Sequence, residues 1–327
     1  MVLPSFSSGA AKSGCDNMNP LMIDAQEVSH SYSATPALCG VSFSVNTGSF
    51  FGLLGPNGSG KTTLFRLLST LIPLQQGRLR IAGFDIREQQ NLVRQQIGVT
   101  FQSPALDVRL TVLENLQCHA AIYGLNGSIA SGRISELLRR FRIEDRAKTI
   151  VGTLSGGLKR RAELAKGLLH QPKVLFLDEP GTGLDIRSRK EFLALLREQQ
   201  KEFGTTIVMA THHMEEAEEC DQLMLLDQGR VIASGSPREL QGTLQGERLT
   251  VRCQNPEKFS QDLRNRFSVE PQISGDTVTC RLESPAEKIP EILRTSGDEV
   301  LSIQISRPSL EDVFLSLTGR LLQQEVP

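Results

Sequence analysis

No stretch of the 327-residue chain approaches the roughly 18 consecutive apolar residues of a membrane-crossing helix, so no segment is expected to span a bilayer unaided. No C-x-x-C pair occurs among the six cysteines, Cys15, Cys39, Cys118, Cys220, Cys253 and Cys280. That scatter argues against a zinc site and for reduced thiols that serve as small hydrophobic or surface residues. Neither sign of charge prevails. The 36 basic and 37 acidic side chains leave a net charge of -1, with no global pull toward nucleic acid. The first twenty residues are rich in Ser, Gly, Ala and Asn, and lack both the basic and the apolar parts of a secretory signal. They read as a disordered tail (residues 1–20), no apolar run precedes Cys15 as a lipid anchor requires, and a cytoplasmic chain is expected. What remains is ordinary globular composition, 39% hydrophobic and 22% charged, in a length that suggests two domains.

The pattern along the chain predicts an α/β fold. Residues 22–45 alternate like antiparallel strands around a turn. Short apolar runs at Ser49–Leu54, Val174–Leu177 and Thr205–Ala210 suit strands buried on both faces, and helical stretches separate them. Between about 105 and 172, Leu113, Leu116, Ile122, Ile134, Leu137, Leu138 and Phe141 recur at helical spacing and predict a helical insertion. Beyond about residue 247 the order strand, helix, two hairpin strands (Val269–Ile273 and Thr277–Leu282), helix, strand is βαββαβ, a ferredoxin-like pattern. A closing helix is predicted at Ser309, where Ser309 and Asp312 have capping-box spacing. The expected division is 21–243 for the main unit and 247–320 for a small α+β accessory unit.

Two motifs carry chemistry. Residues 55–63, Gly55-Pro56-Asn57-Gly58-Ser59-Gly60-Lys61-Thr62-Thr63, fit G-x-x-x-x-G-K-[ST] between an apolar strand and a helix. Glycines let the backbone wrap a phosphate chain with its N–H groups, and the helix N-terminus adds partial positive charge. Lys61 is placed to reach the β- and γ-phosphates of ATP, and the Thr62 hydroxyl to ligate Mg²⁺. The run VLFLDEP ends a buried strand in Asp178 and Glu179. Asp178 is expected to hold Mg²⁺ and Glu179 to polarise the attacking water as general base.

Between these motifs stands Leu154-Ser155-Gly156-Gly157-Leu158-Lys159-Arg160-Arg161, which resembles the signature of ABC ATPases, with Leu158 where most members have Gln. The other motifs of that family follow in order. Tyr32 resembles the aromatic residue that stacks on adenine. Gln102 resembles the Q-loop glutamine, which senses Mg²⁺ and faces the membrane partner. Asp185 resembles the D-loop aspartate, and His212 the switch histidine near the γ-phosphate, with His213 beside it structural or exposed. PSLEDVFLSLTG at the end is similar to the closing segment of drug-resistance-type and nodulation-type exporter ATPases.

The resemblance implies a P-loop NTPase of ABC type with antiparallel β- and helical subdomains. It implies ATP hydrolysis with Mg²⁺ and a homodimer that sandwiches two ATPs, Ser155, Gly156 and Gly157 binding γ-phosphate in trans. It further implies a separate ABC-2-type membrane permease as partner, at the cytoplasmic face of the membrane, with export of a drug-like, lipid or polysaccharide-type substrate; no nucleic acid is expected. A non-transport ABC ATPase acting on nucleic acid or ribosomes is the competing reading. The single cassette, and the 53 residues from Gln102 to Ser155, which leave no room for a long coiled coil, weigh against it. A small-molecule kinase leaves the signature, Asp185 and His212 unexplained.

Overall fold

The computed structural model describes residues 20–103, 105–244, 246–296 and 300–319; the N-terminal tail, apart from Pro20, lies outside them. Three sheets organise the chain. The first is antiparallel. Strand β1 (Leu21–Tyr32) pairs with β2 (Thr35–Asn46) and with β4 (Gln76–Ile81), which carries the two-residue β5 (Phe84–Asp85) on its outer edge.

The second sheet holds the candidate site. Its strands are β3 (Phe50–Leu54), β6 (Ile97–Thr100), β7 (Val174–Asp178), β8 (Thr206–Thr211), β9 (Gln222–Asp227) and β10 (Arg230–Gly235), in the order β10-β9-β3-β8-β7-β6. All neighbours are parallel except the β9–β10 hairpin. Every residue of β3, β7 and β8 is buried. Side chains of a strand alternate between faces. Accordingly Phe50, Leu54, Leu175, Leu177, Ile207 and Met209 enter one core, and Phe51, Leu53, Val174, Phe176, Val208 and Ala210 enter the other. A sheet covered on both sides needs continuous apolar runs, which is what the sequence supplies.

The first of these cores is completed by helices α3 (Val112–Ile122), α4 (Gly127–Arg140), α5 (Gly156–Leu168) and α6 (Ile186–Phe203). The first three fall within the expected helical insertion. The second core lies between the two sheets and takes the apolar face of α1 (Lys61–Leu68) and Val93 of α2 (Gln90–Gln96). Helix α1 ends at Leu68. Ser69 closes it, and Thr70 turns into the left-handed region at φ 61°.

The third sheet comprises β11 (Glu247–Cys253), β12 (Gln272–Ser274), β13 (Thr277–Leu282) and β14 (Val300–Ser306), with helices α9 (Pro256–Phe267) and α10 (Pro285–Ser296). Its order, β12-β13-β11-β14 with every pair antiparallel, is ferredoxin-like. Strand β12 starts three residues later than the predicted Val269, because Pro271 has no N–H to give the ladder. Two helices tie this sheet to the rest: α8 (Pro237–Gly242) precedes it and α11 (Leu310–Thr318) follows it. Both carry capping boxes, Ser236 with Glu239 and Ser309 with Asp312. Helix α11 returns to pack on α8 and on α7 (Met214–Glu218). Its Leu310, Val313 and Phe314 join the core of the second sheet, not that of the third.

Candidate functional site

The parallel strands β3, β8, β7 and β6 are neighbours, so their carboxyl ends open onto one edge. The register is nearly flush, with Leu54 beside Thr211, Asp178 beside Ala210 and Thr100 beside Leu177. Strands lie about 4.8 Å apart, so four loops issue within about 15 Å. They carry Gly55–Thr63, His212, Asp178 with Glu179, and Gln102. The crevice outside the carboxyl ends is where open α/β sheets bind ligands.

The loop after β3 is a phosphate cradle. Gly60, at φ 106°, caps α1, and a Cβ there would stand 2.6 Å from the Ala37 carbonyl of β2. That close approach holds the loop against the first sheet, and the hydrogen bond from the Gly229 N–H to the Ser59 carbonyl at 2.9 Å ties it to the turn between β9 and β10. Gly58, at φ 77°, faces open space. The Ser59 hydroxyl is buried without a hydrogen-bond partner. An orphaned hydroxyl in a glycine-rich loop that opens a helix fits a polyphosphate. Lys61 is buried, and its ammonium donates to the Gly55 and Pro56 carbonyls at 2.8 and 2.9 Å. Burial holds its pKa below the usual lysine range, against the pull of Glu179 and Asp178. Thr62 is exposed at the helix start, and Thr63 packs inward.

Asp178 ends β7 only 9% exposed. Burial, and then the neighbouring Glu179, raise its pKa from 3.8 to about 6. Lys61, Arg66 and Arg160 act on Asp178 against the like charge of Glu179, so it is the donor atoms that suit a metal cation. The oxygen donors of Asp178, Thr62 and Gln102 suit a hard one such as Mg²⁺. Glu179 leaves the strand in the left-handed region at φ 45°, held by its N–H to the Ala210 carbonyl at 2.9 Å. Strain of this kind costs about 1–3 kcal/mol and concentrates at functional sites. The turn separates the Glu179 carboxylate from that of Asp178 and brings it to two other loops. Gln102 Nε2 donates to Glu179 Oε2 at 3.0 Å, and His212 Nδ1 lies 3.1 Å from Glu179 Oε1. Three residues expected to act together therefore converge on one carboxylate. The Oε1 atom, which meets only His212 among the described residues, has a second lone pair and can also accept a water proton.

The other predicted residues lie apart from that carboxylate. Ser155 caps α5 with its hydroxyl and is exposed, as is Gly156. Gly156 and Gly157 pack near Leu184 and Ser188, beside Asp185. Asp185 caps α6, accepting from the Ser188 N–H and hydroxyl at 2.8 Å each, which holds its carboxyl below the usual range. Tyr32, 44% exposed, ends β1 with its ring edge-on to His30, at the turn into the strand that carries Ala37. His213 is half-buried and caps α7, its N–H donating to Thr211 Oγ1 at 2.9 Å.

Sequence reading missed three participants. Thr182 Oγ1 reaches Glu179 Oε2 at 3.4 Å. Glu216 is fully buried under the site, where Thr211 donates to it at 2.6 Å, and burial raises its pKa. Arg160 binds the carbonyls of Phe101 and Gln102 at 2.7 Å each. The available signal was helical periodicity, which puts Arg160 and Glu163 on one turn of α5 among apolar neighbours.

Comparison with known proteins agrees with this geometry. The family described as ABC transporter matches residues 38–182, and the C-terminal domain of DrrA1-3-like ATP-binding proteins matches residues 235–318. The chain is 38% identical over 313 residues to the daunorubicin resistance ATP-binding protein DrrA2 of Streptomyces coeruleorubidus, covering 92% of this chain and 96% of that one. The chain belongs to the ATP-binding proteins of ABC transporters. A second member, the Nod factor export ATP-binding protein I of Rhizobium etli, is 36% identical over 97% of this chain and 99% of its own. Among solved structures, cbiO1 from Clostridium perfringens, part of the ABC transporter complex cbiONQ, is 30% identical with a TM-score of 0.64, covering 76% of this chain and 96% of that one. The dimeric ATP-binding cassette MJ0796, bound to ADP and Pi, is 26% identical with a TM-score of 0.60, covering 66% of this chain and 98% of that one. This ABC protein is accordingly an ATP-binding and ATP-hydrolysing subunit of the exporter branch. No helix among its described residues is long and apolar enough to cross a membrane.

Proposed function

We propose that this ATPase works as a head-to-tail homodimer beneath an ABC-2-type permease, at the cytoplasmic face of the membrane. In this reading residues 21–243 are the motor and 247–320 an accessory unit, and the cargo is drug-like, lipid or polysaccharide-type. The observation that carries the mechanism is the convergence of Gln102 and His212 on the Glu179 carboxylate beside the cradle. Placement supports two copies. The cradle packs against β2 and Gly229, whereas Ser155–Gly157 pack against the loop that carries Asp185. One chain offers one of each, and two copies head to tail complete two sites.

The residues take these roles. Gly55–Thr63 and Lys61 hold the phosphates, and Tyr32 stacks on the adenine. Thr62, Asp178 and Gln102 would hold Mg²⁺, which would supply charge neutralisation to the phosphates. Glu179 takes the proton of the attacking water, while Gln102 and His212 fix its carboxylate and place that water in line. Ser155, Gly156 and Gly157 grip the γ-phosphate held by the partner copy, and Asp185 lies at that junction. ATP binding favours the closed pair through these contacts, and loss of the γ-phosphate removes them.

Two experiments test this. Glu179→Gln keeps the shape of the side chain and removes the base, so ATP should convert the variant into a stable dimer with almost no turnover; full activity would rule out the base. Purification from mild-detergent extracts should bring a multi-span membrane protein in near-equal amount. Recovery with ribosomes or DNA-associated proteins instead would rule out the transport motor.

A further inference from the structure

Helix α5 begins at the signature and runs beneath the Q-loop. Five residues after Ser155, Arg160 is only 4% exposed. Its Nη1 donates to the Phe101 carbonyl at 2.7 Å and to Glu163 Oε2 at 2.8 Å, and its Nη2 donates to the Gln102 carbonyl at 2.7 Å. Glu163, 2% exposed, accepts the Ala105 N–H on its other oxygen at 2.6 Å. One helical turn further on, the Lys166 ammonium donates to the Ala105 carbonyl. A single face of the signature helix thus holds both ends of the segment that presents Gln102, whose side chain binds Glu179.

We infer that the buried Arg160–Glu163 pair is a positioning device that couples the signature helix to the Q-loop, so that the seating of Ser155–Gly157 sets Gln102 against Glu179. The inference rests on the head-to-tail reading above, in which that signature grips the partner's nucleotide. Its physical basis is the planar guanidinium fork, whose fixed donors span two successive carbonyls and one carboxylate at once. A buried ion pair is weak evidence for stability, because desolvation offsets much of its attraction; a role in fixing geometry is its better-attested use. The pair transmits displacement because every acceptor is backbone or a fully buried carboxylate. Movement of the helix N-terminus therefore carries Phe101, Gln102 and Ala105 with it. Each copy would in this way read the partner's site through its own signature and adjust its own water-placing glutamine.

The test is a double-mutant cycle on the full chain, read as ATP turnover. Arg160→Lys keeps the charge but loses the fork. It should lower kcat about tenfold and leave the KM for ATP within about twofold. In a Gln102→Ala background the same change should lower kcat by less than about twofold, because only the weaker 3.5 Å contact of Arg160 with the Glu179 carbonyl then links it to the base. An unchanged kcat in Arg160→Lys, or an equal tenfold loss in both backgrounds, overturns the coupling; the second outcome marks the pair as merely structural. Should Arg160→Lys fail to fold, Glu163→Gln takes its place in the cycle, with the same outcomes deciding. Elution of Glu179→Gln with ATP separates the two readings. A chain that stays monomeric overturns the sandwich and the coupling with it, whereas an additive cycle in a chain that dimerises overturns the coupling alone.

Discussion

Asp178→Asn should stabilise the nucleotide-free protein, and do so more at high pH than at low. The reason lies in its surroundings. Asp178 is buried beside Glu179, and its pKa stands at about 6 where an unperturbed aspartate has 3.8. An acid whose pKa is raised on folding binds its proton more tightly in the folded state. Its contribution is therefore most favourable below the unfolded value, and it is lost as pH climbs from about 3.8 through about 6. At 1.36 kcal/mol per pKa unit, the ionised carboxylate costs the folded state at most about 3 kcal/mol at pH 8 and about half of that at pH 5. Asparagine keeps the shape and removes the charge. Thermal unfolding of the nucleotide-free protein should show the variant several degrees above the parent at pH 8, with the gap shrinking toward pH 5. Addition of Mg²⁺ and ATP should reverse the order, because the parent gains a cation that the variant holds poorly. A variant less stable than the parent at pH 8, or a gap that does not change with pH, would refute the reasoning. An equal gain from Mg²⁺-ATP in both proteins would refute the metal role.

Lys61→Ala removes two charge-assisted hydrogen bonds that hold the cradle, together with the cation that faces the phosphates. At about 1.5–3 kcal/mol for each such bond, calorimetric titration should show ATP affinity reduced about 100-fold or more. Gly181→Ala would set a Cβ 1.8 Å from Glu216 Oε1, and Glu216 is fully buried and held by Thr211. The denaturant midpoint should fall by the equivalent of about 1–3 kcal/mol, and an unmoved midpoint would show that Glu216 yields freely. Phe314→Ala should cost about 3–5 kcal/mol, read in the unfolding transition that nucleotide stabilises, because Phe314 lies in the core of the second sheet. Movement of a nucleotide-insensitive transition alone would contradict that packing.

The parts legible in the sequence are those where chemistry dictates both residue type and spacing. A phosphate cradle needs its glycines, lysine and threonine in one run, and a two-sided sheet needs runs such as VLFL, so Gly55–Thr63 and β7 could be found directly. The ferredoxin-like order could be read as well, because each strand and helix there keeps its own period. The residues that escaped act through distance in space. Arg160 and Glu163 look like solvated helix charges until the Q-loop is folded across them. The left-handed turn at Glu179 has no local marker, because tertiary contacts impose it on a residue with no preference for it. Helix α11 advertised its capping box, but nothing local says that its apolar face belongs to the nucleotide-binding core and not to the small sheet beside it in sequence.

That return of α11 bears on how the site can move. The Glu179 carboxylate is held by residues 77 positions before it and 33 positions after it, on loops from neighbouring strands. Those strands are buried on both faces, and closely packed interiors pass from one discrete arrangement to another instead of deforming smoothly. The sheet is therefore the fixed frame, and any change in how Gln102 or His212 meets Glu179 must enter through the helices that carry their loops. Gln102 is held from α5, the helix that starts at the signature. His212 leads into α7, on which α11 packs. One arm of the catalytic cluster thus ends in the surface proposed to meet the partner's nucleotide, and the other ends in the closing helix of the C-terminal segment. A ligand shifts such a balance only by binding one arrangement better than the other. ATP contacts made at the signature bias the first arm directly. Whatever binds the C-terminal segment can bias turnover through α11, so contacts that displace this helix should alter kcat without touching the cradle.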